Sequence, residues 1–510
     1  MGLSHDIRSA INPILPYLPH ILASLLLLSY VKAWYGLRQF RGPWPAGFSY
    51  LWMATVVGGG RMNIKFNEVS KQYGSRLARI GPEDLITDDP DIIRHMSSAR
   101  STYYRSEWYA AARLDPYVDN VISEMDNASH DKIRSQIAGA YAGKENHHLE
   151  EDIDEQISSF ISLIRRKYLS SGANLRPMDF GRKAQYFTLD VLTKIAYGDA
   201  FGYLKRDEDV HEYIETIESM MPSITFFSCV PLANNFLNRS WVRKAFGPSP
   251  MDKKGVGKLM GVAQRVVSDR YGANRKEKMD MLGAFVRHGL PQRRVEAEVL
   301  LQIIAGSDTT ATGVRATMLY LITAPRVLQK LRAEMDDAEA TGAISSPITN
   351  AEAKELPYLQ ACIKEGLRMH PPFTGLILKR VPAGGDVIGG QFVPGHTRIA
   401  HNTWAVQRST IYGDDPDMFR PERWVEADAD MKVKMERNLE LIFGYGRFGC
   451  LGKSIAYIEL NKIFVELLRR FDIEVVDPTK PLWNSVNFNM HLQHHQWVRI
   501  SEREARQSQL

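Results

Sequence analysis

Cys450 sits in the stretch FGYGRFGCLGK (Phe443 to Lys453) and is one of only three cysteines in 510 residues. Cys229, Cys362 and Cys450 are odd in number and widely spaced, which excludes a disulfide framework. A free thiol can pack as a small hydrophobe. In this stretch, however, glycines crowd the cysteine and a strongly apolar helical pattern follows it. Such a position favours a thiolate, through the helix dipole and the free N–H groups of a first turn. The glycines would also let a flat ligand approach the backbone. Phe443, Gly446, Cys450 and Gly452 set the spacing F-x-x-G-x-x-x-C-x-G. Zinc does not suit the site, because no second cysteine or histidine lies at ligand spacing. His491, His494 and His495 form an alternative metal cluster, though one without an acidic partner.

Three further groupings carry chemistry-bearing residues. Ala305-Gly306-Ser307-Asp308-Thr309-Thr310 interrupts an apolar helical pattern, where glycine costs about 0.5–1 kcal/mol relative to alanine. Gly306 could mark a helix crossing. Beside an acid and a hydroxyl, it could instead open a notch for a diatomic ligand and a proton relay to it. Glu365 and Arg368 stand at i and i+3, and the PERW segment supplies Arg423. Alone, the first pair is an ordinary bridge and the second a turn; together they could form a buried ion network.

The elements that must position these groups are mostly helical. The longest pattern runs from Pro291 to Pro325 and would span about 50 Å. A second covers roughly Lys354 to Met369, before Pro371-Pro372. A third follows Cys450, with Ile455, Ile458, Ile463, Phe464, Leu467 and Leu468 at helical spacing. KENHHLEEDIDEQ (Lys144 to Gln156) is a solvated loop entering a helix. Strand patterns are few: Asp386 to Ala400, Ile473 to Val476 and Trp497 to Ile500. The fold class is therefore mainly α with minor β-sheets.

Hydrophobic residues make up 44% and charged residues 24%, ordinary globular values that exclude disorder. A net charge of +5 gives no reason to expect nucleic acid as a partner. Ile14 to Val31 is nearly free of charge and is followed by Lys32, Arg38 and Arg41. It reads as a single-pass membrane anchor that leaves the bulk of the chain cytoplasmic. RGPWPAG (Arg41 to Gly47) would end it. The chain thus divides into an anchor and flank, 1–40, and a catalytic domain, 41–510.

The A-G-x-D-T-T, E-x-x-R, PERW and F-x-x-G-x-x-x-C-x-G elements, in this order, resemble the cytochrome P-450 family of haem-thiolate monooxygenases along essentially the whole chain. GRFGCLGK resembles fungal microsomal members of the pisatin demethylase type. The resemblance implies haem b with Cys450 as its axial thiolate and Phe443 packed beside it. Asp308 and Thr309 would be the proton-delivering pair, with Ala305 and Gly306 lining the oxygen groove. Gly446 belongs to the thiolate loop, while Glu365, Arg368 and Arg423 would lock the fold behind it. His130, Arg134 and Arg380 match the family's propionate contacts. The basic residue usual two positions before the cysteine is Phe448 here; either Arg447 would reach a propionate in its stead, which is the reading preferred, or His130, Arg134 and Arg380 would carry that task. The pocket would draw on Tyr103 to Tyr109, Met221 to Phe227, Phe373 to Leu378 and Asn487 to Met490.

By the same resemblance, one oxygen atom of O2 would be inserted into a bulky apolar substrate. The electrons would come from an NADPH-dependent flavoprotein reductase, with cytochrome b5 as an optional second donor. The expected location is the endoplasmic reticulum membrane, and the expected setting fungal secondary metabolism. An isomerase, dehydratase or peroxygenase is the alternative within the fold, and a non-catalytic haem-binding protein the alternative outside enzymology.

Overall fold

The computed structural model describes residues 17–74, 76–143, 145–273, 275–479 and 484–504. Helices dominate, and one of them organises the rest. Gln292–Thr323 is a 32-residue helix closed off by Pro291 before it and Pro325 after it. It is buried along most of its length and packs most extensively against Phe180–Tyr197, Gly255–Ser268, Pro357–Met369 and Lys453–Leu468. The largest apolar cluster of the protein is built around these contacts.

The helix expected from Lys354 divides in two. Asn350–Lys354 carries a complete capping box between Thr349 and Glu352, and a second helix restarts at Pro357 and runs to Met369. Proline is well placed at a first helical position and disfavours helix in the residue before it, which explains the break. Leu149–Leu163 carries Glu150, Glu151 and Asp152 in its first turn, where the dipole favours them.

The β-structure is minor. A five-stranded sheet runs in the order Ala78–Arg79, Asp84–Thr87, Arg398–His401, Lys379–Arg380, Tyr104–Arg105. Within it Arg105 pairs with Lys379, and Tyr104 with Arg380, in antiparallel register. A hairpin joins Asn484–Phe488 to Met490–His494 through the single residue Asn489, whose φ of 64° is left-handed. Asp386–Ile388 and Gln391–Val393 form a second hairpin around Gly389 and Gly390, both at positive φ.

The expected single-pass anchor is not met among the described residues, where no helix is long and apolar enough to cross a membrane. Ile14 to Pro16 lie outside the described residues. The helix there is Leu18–Gly36. Pro19 and His20 at its start and Lys32 near its end leave Ile21 to Val31 as the apolar stretch. Eleven helical residues reach about 16 Å, half of a hydrocarbon core of about 30 Å. Leu25, Leu26, Leu27 and Leu28 cover a full turn, and each is more than half exposed.

Candidate active site

The Cys450 loop and the middle of the long helix face each other across one cavity of about 430 Å³. Cys450, Phe443 and Phe448 line one side, and Ala305, Gly306 and Thr309 line the other. The loop is held by the Cys450 amide, which donates to the Phe443 carbonyl at 2.6 Å. Gly446 has φ +58°, and a Cβ there would fall 2.3 Å from the Ser97 carbonyl oxygen, so only glycine fits. Lys453–Leu468 begins three residues after the cysteine. Burial raises the Cys450 thiol, opposed by the N–H groups of Gly452 and Lys453 and by the charges of Arg134 and Lys453. The thiol's accessibility is to the cavity that it lines.

Asp308 and Thr309 do not face the same way. The Thr309 hydroxyl donates to the Ala305 carbonyl at 2.8 Å and borders the cavity. Asp308 is absent from the cavity wall and sits on the opposite side of the helix. There it accepts from the Tyr213 hydroxyl at 3.1 Å and from the Gln185 amide. Burial pushes its carboxyl up to about 6, against the lowering effects of Arg315, Tyr213 and Gln185. The reason is rotational, since neighbouring residues on an α-helix point about 100° apart. Gly306 serves both readings open to it: it lines the cavity, and an added Cβ would meet Leu192 of the crossing helix at 3.0 Å.

Glu365 and Arg368 are fully buried and joined by two 2.8 Å contacts. Arg423 donates to the same carboxylate at 3.0 Å, and the Trp424 indole N–H donates to it at 2.8 Å. Arg368 also donates to the carbonyls of Gln407 and Pro416, both at 2.7 Å. The network thus ties Pro357–Met369 to the meander before the Cys450 loop. A buried carboxylate with this many donors is satisfied, and removing any partner would expose its desolvation cost.

The cationic end of the cavity differs from the sequence expectation. His130 and Arg134 line it, but Arg380 and Arg447 do not. Arg380 is paired with Glu107 at 2.7 Å, on the sheet face that also carries Arg398 with Asp84. Strand alternation turns its neighbour Lys379 inward instead. Arg447 lies 3.3 Å from Asp131 and donates to the Ala99 carbonyl at 3.0 Å, outside the cavity. Phe448 takes the inward position. Lys379 and Arg105 line the cavity without having been expected there as cations: Arg105 fell within a stretch read as substrate pocket, and parity alone cannot say which residue of Lys379-Arg380 points in.

These residues bear on whether haem fits the cavity. Arg105 and Lys379 oppose each other in register, both buried, and like charges in that arrangement repel. Lys379 Nζ, Arg105 Nε and the nearby His401 Nε2 are buried without a hydrogen-bond partner. Burial, with Arg105 and Arg447 adding to it, holds the Lys379 ammonium well below the usual lysine range. Burial and Arg105 also lower His130, to about 4, against the pull of Asp131. The Arg105 guanidinium also donates to the Val121 and Glu124 carbonyls at 2.7 and 2.8 Å, but neither it nor Lys379 has an anionic partner there, and an anionic ligand group would supply one. A thiol on one wall, a glycine-bearing notch opposite and cations at one edge suit a flat macrocycle with acidic side arms.

Of the expected pocket segments, Trp108, Tyr109, Met221, Ile224, Phe373 and Asn489 line the cavity, whereas Tyr103 bonds Asp386 outside it. No group of three metal-ligating side chains is found among the described residues, and the His494 side chain of the expected histidine cluster lies outside them. His491 instead lies against His370, ring centroids 4.1 Å apart.

Comparison with known proteins gives the family. The Cytochrome P450 family model matches residues 39–497. Cytochrome P450 monooxygenase ABA1 of Pyricularia oryzae is 48% identical over 486 residues, 94% of this chain and 95% of that protein. Cytochrome P450 monooxygenase aba1 of Botryotinia fuckeliana is 41% identical over 474 residues, 92% of each chain. The crystal structure of the cytochrome P450DA heme domain shares the fold, with a TM-score of 0.69 at 16% identity, over 87% of this chain and 93% of that one. The chain belongs to the cytochrome P450 family and is a haem-thiolate monooxygenase.

Proposed function

We propose that the protein inserts one oxygen atom of dioxygen into a bulky apolar organic molecule within a fungal secondary-metabolite pathway. One juxtaposition carries the reading: the Cys450 thiol and the Ala305, Gly306 and Thr309 notch line the same largely apolar cavity. The fungal sources of the relatives support the pathway setting. Haem bound in the cavity supplies the dioxygen-activating chemistry, which a thiolate ligand promotes. The chain's own residues do the rest. Cys450 holds the iron, and Lys379, Arg105, His130 and Arg134 hold the propionates. The Thr309 hydroxyl passes a proton into the notch, and Asp308, held near neutrality by burial, resupplies it from behind the helix. Electrons come from an NADPH-dependent reductase, with cytochrome b5 as an alternative donor.

The reduced protein with carbon monoxide should show the absorption band of thiolate-ligated haem, and Cys450→Ala should lose it. A normal band in that variant would remove Cys450 as ligand. Product formed from peroxide alone, or without dioxygen, would favour the peroxygenase, isomerase or dehydratase reading.

The segment before residue 41 associates the protein with the endoplasmic reticulum membrane. The exposed leucines of Leu18–Gly36 support this, as do exposed Trp44, Leu51, Leu232, Phe236 and Phe246. Leu27→Lys should halve or more the fraction of protein floating with phospholipid vesicles. Flotation equal to wild type would sink the assignment of this helix.

A further inference from the structure

The helix Tyr213–Cys229 starts from a strained turn. His211 and Glu212, neither of them glycine, adopt left-handed φ angles of 64° and 56° in succession. Such backbone persists only where its surroundings hold it. Asp209 does so here, accepting from the amides of Ile214 and Glu215 at 3.1 and 3.0 Å. The turn delivers Tyr213, fully buried, against the long helix Gln292–Thr323.

The Tyr213 hydroxyl meets three oxygens of that helix: the Ile303 carbonyl at 3.0 Å, Ser307 Oγ at 3.1 Å and Asp308 Oδ2 at 3.1 Å. The Ser307 hydroxyl gives its own proton to the Ile303 carbonyl at 2.7 Å, so its oxygen is open to accept. The phenol therefore has two arrangements. Beside an ionised Asp308 it donates to Oδ2, while the Gln185 amide donates to Oδ1. When Oδ2 carries a proton, the phenol oxygen accepts from it and the phenol proton turns to Ser307 Oγ. Each of these groups stays bonded in both states, which matters because a buried polar group left unpaired is costly. A tyrosine that only pinned two helices together would be satisfied by the Ile303 carbonyl alone. Arg315 on the same helix, Glu218 with its partner Arg182 at 3.3 Å, and Tyr203 act on Asp308 through charge.

We propose that Tyr213 is a positioning residue for the monooxygenase reaction, whose hydroxyl reverses its hydrogen bond as Asp308 releases and regains a proton. The acid can then pass protons toward Thr309 repeatedly without either of its states being left unpaired. This rests on the proposed function above and adds the group that keeps its proton donor reversible.

The test uses the haem-loaded protein. The carbon-monoxide band of each preparation is recorded first, so failure of the haem reading shows there. Infrared titration then follows the carboxylic-acid band that Asp308→Asn removes. Its midpoint, about 6 in the wild type, should rise by about one pH unit or more in Tyr213→Phe, because the bond lost to the ionised form is the stronger one. Product formed per NADPH consumed should fall about tenfold in Tyr213→Phe, and the same change made in Asp308→Asn should have no further effect. An unmoved midpoint, a moved midpoint with unchanged coupling, or a further loss in the double variant would overturn the assignment. Unchanged coupling in Asp308→Asn alone would take the acid, and Tyr213 with it, out of the reaction.

Discussion

The Lys379 ammonium lies 3.1 Å from the centroid of the Phe448 ring, and the Arg105 guanidinium lies 4.6 Å from it. The His130 ring stands 5.1 Å from the same ring. Phe448 occupies the position where the family resemblance leads one to expect a basic residue, and buried cations stand beside it instead. These cations come from the neighbouring strands, and the ring faces its quadrupole toward them.

Lys379→Met should therefore have two opposite effects. The haem-free protein should gain about 1–3 kcal/mol, because an unpaired buried cation is removed. The haem-loaded protein should release haem about tenfold faster, because a charge-assisted bond is lost. Thermal melting of the apoprotein and haem transfer to a scavenger protein check the two halves. An unchanged transfer rate would exclude Lys379 from the propionate site.

Asp308 titrates in an unusual window. The folded carboxyl keeps its proton to about pH 6, whereas its ordinary value is 3.8. Between these values the folded state binds the extra proton, so this group's contribution to stability falls as pH rises from about 4 to about 6. Asp308→Asn does not titrate. Its stability relative to wild type should rise by about 2–3 kcal/mol across that window and then level off. Melting temperatures of both proteins at a series of pH values measure this, and a flat difference would contradict it.

Thr309→Ala leaves the Cys450 loop untouched and should keep the carbon-monoxide band. Product formed per NADPH consumed should fall about tenfold or more, with the balance appearing as peroxide or water. A coupling ratio equal to wild type would take Thr309 out of proton delivery.

Glu365→Gln removes the charge that Arg368 and Arg423 share while keeping the shape of the side chain. Both guanidiniums are buried, and the loss should cost about 3 kcal/mol or more. The expected readout is a lower thermal midpoint with haem lost at lower temperature, and a midpoint within a degree of wild type would show that the network carries little.

The chemistry-bearing residue types and their order were legible in the chain, because each rests on local covalent constraints. Proline bounds the long helix, Gly446 is the residue that fits against Ser97, and Glu365 and Arg368 are i, i+3 neighbours wherever a helix forms. A mainly helical fold follows from periodicity, for the same local reason. What needed the tertiary structure was direction. Adjacent residues in a helix or a strand share a position in the sequence but not a face. Thr309 looks into the cavity and Asp308 away from it, and the same holds for Lys379 over Arg380 and Phe448 over Arg447. Which of each pair turns inward is set by packing partners distant in the chain: Tyr213 and Gln185 for Asp308, Glu107 for Arg380 and Asp131 for Arg447. Local sequence determines which groups are available; long-range contacts decide which of them meet.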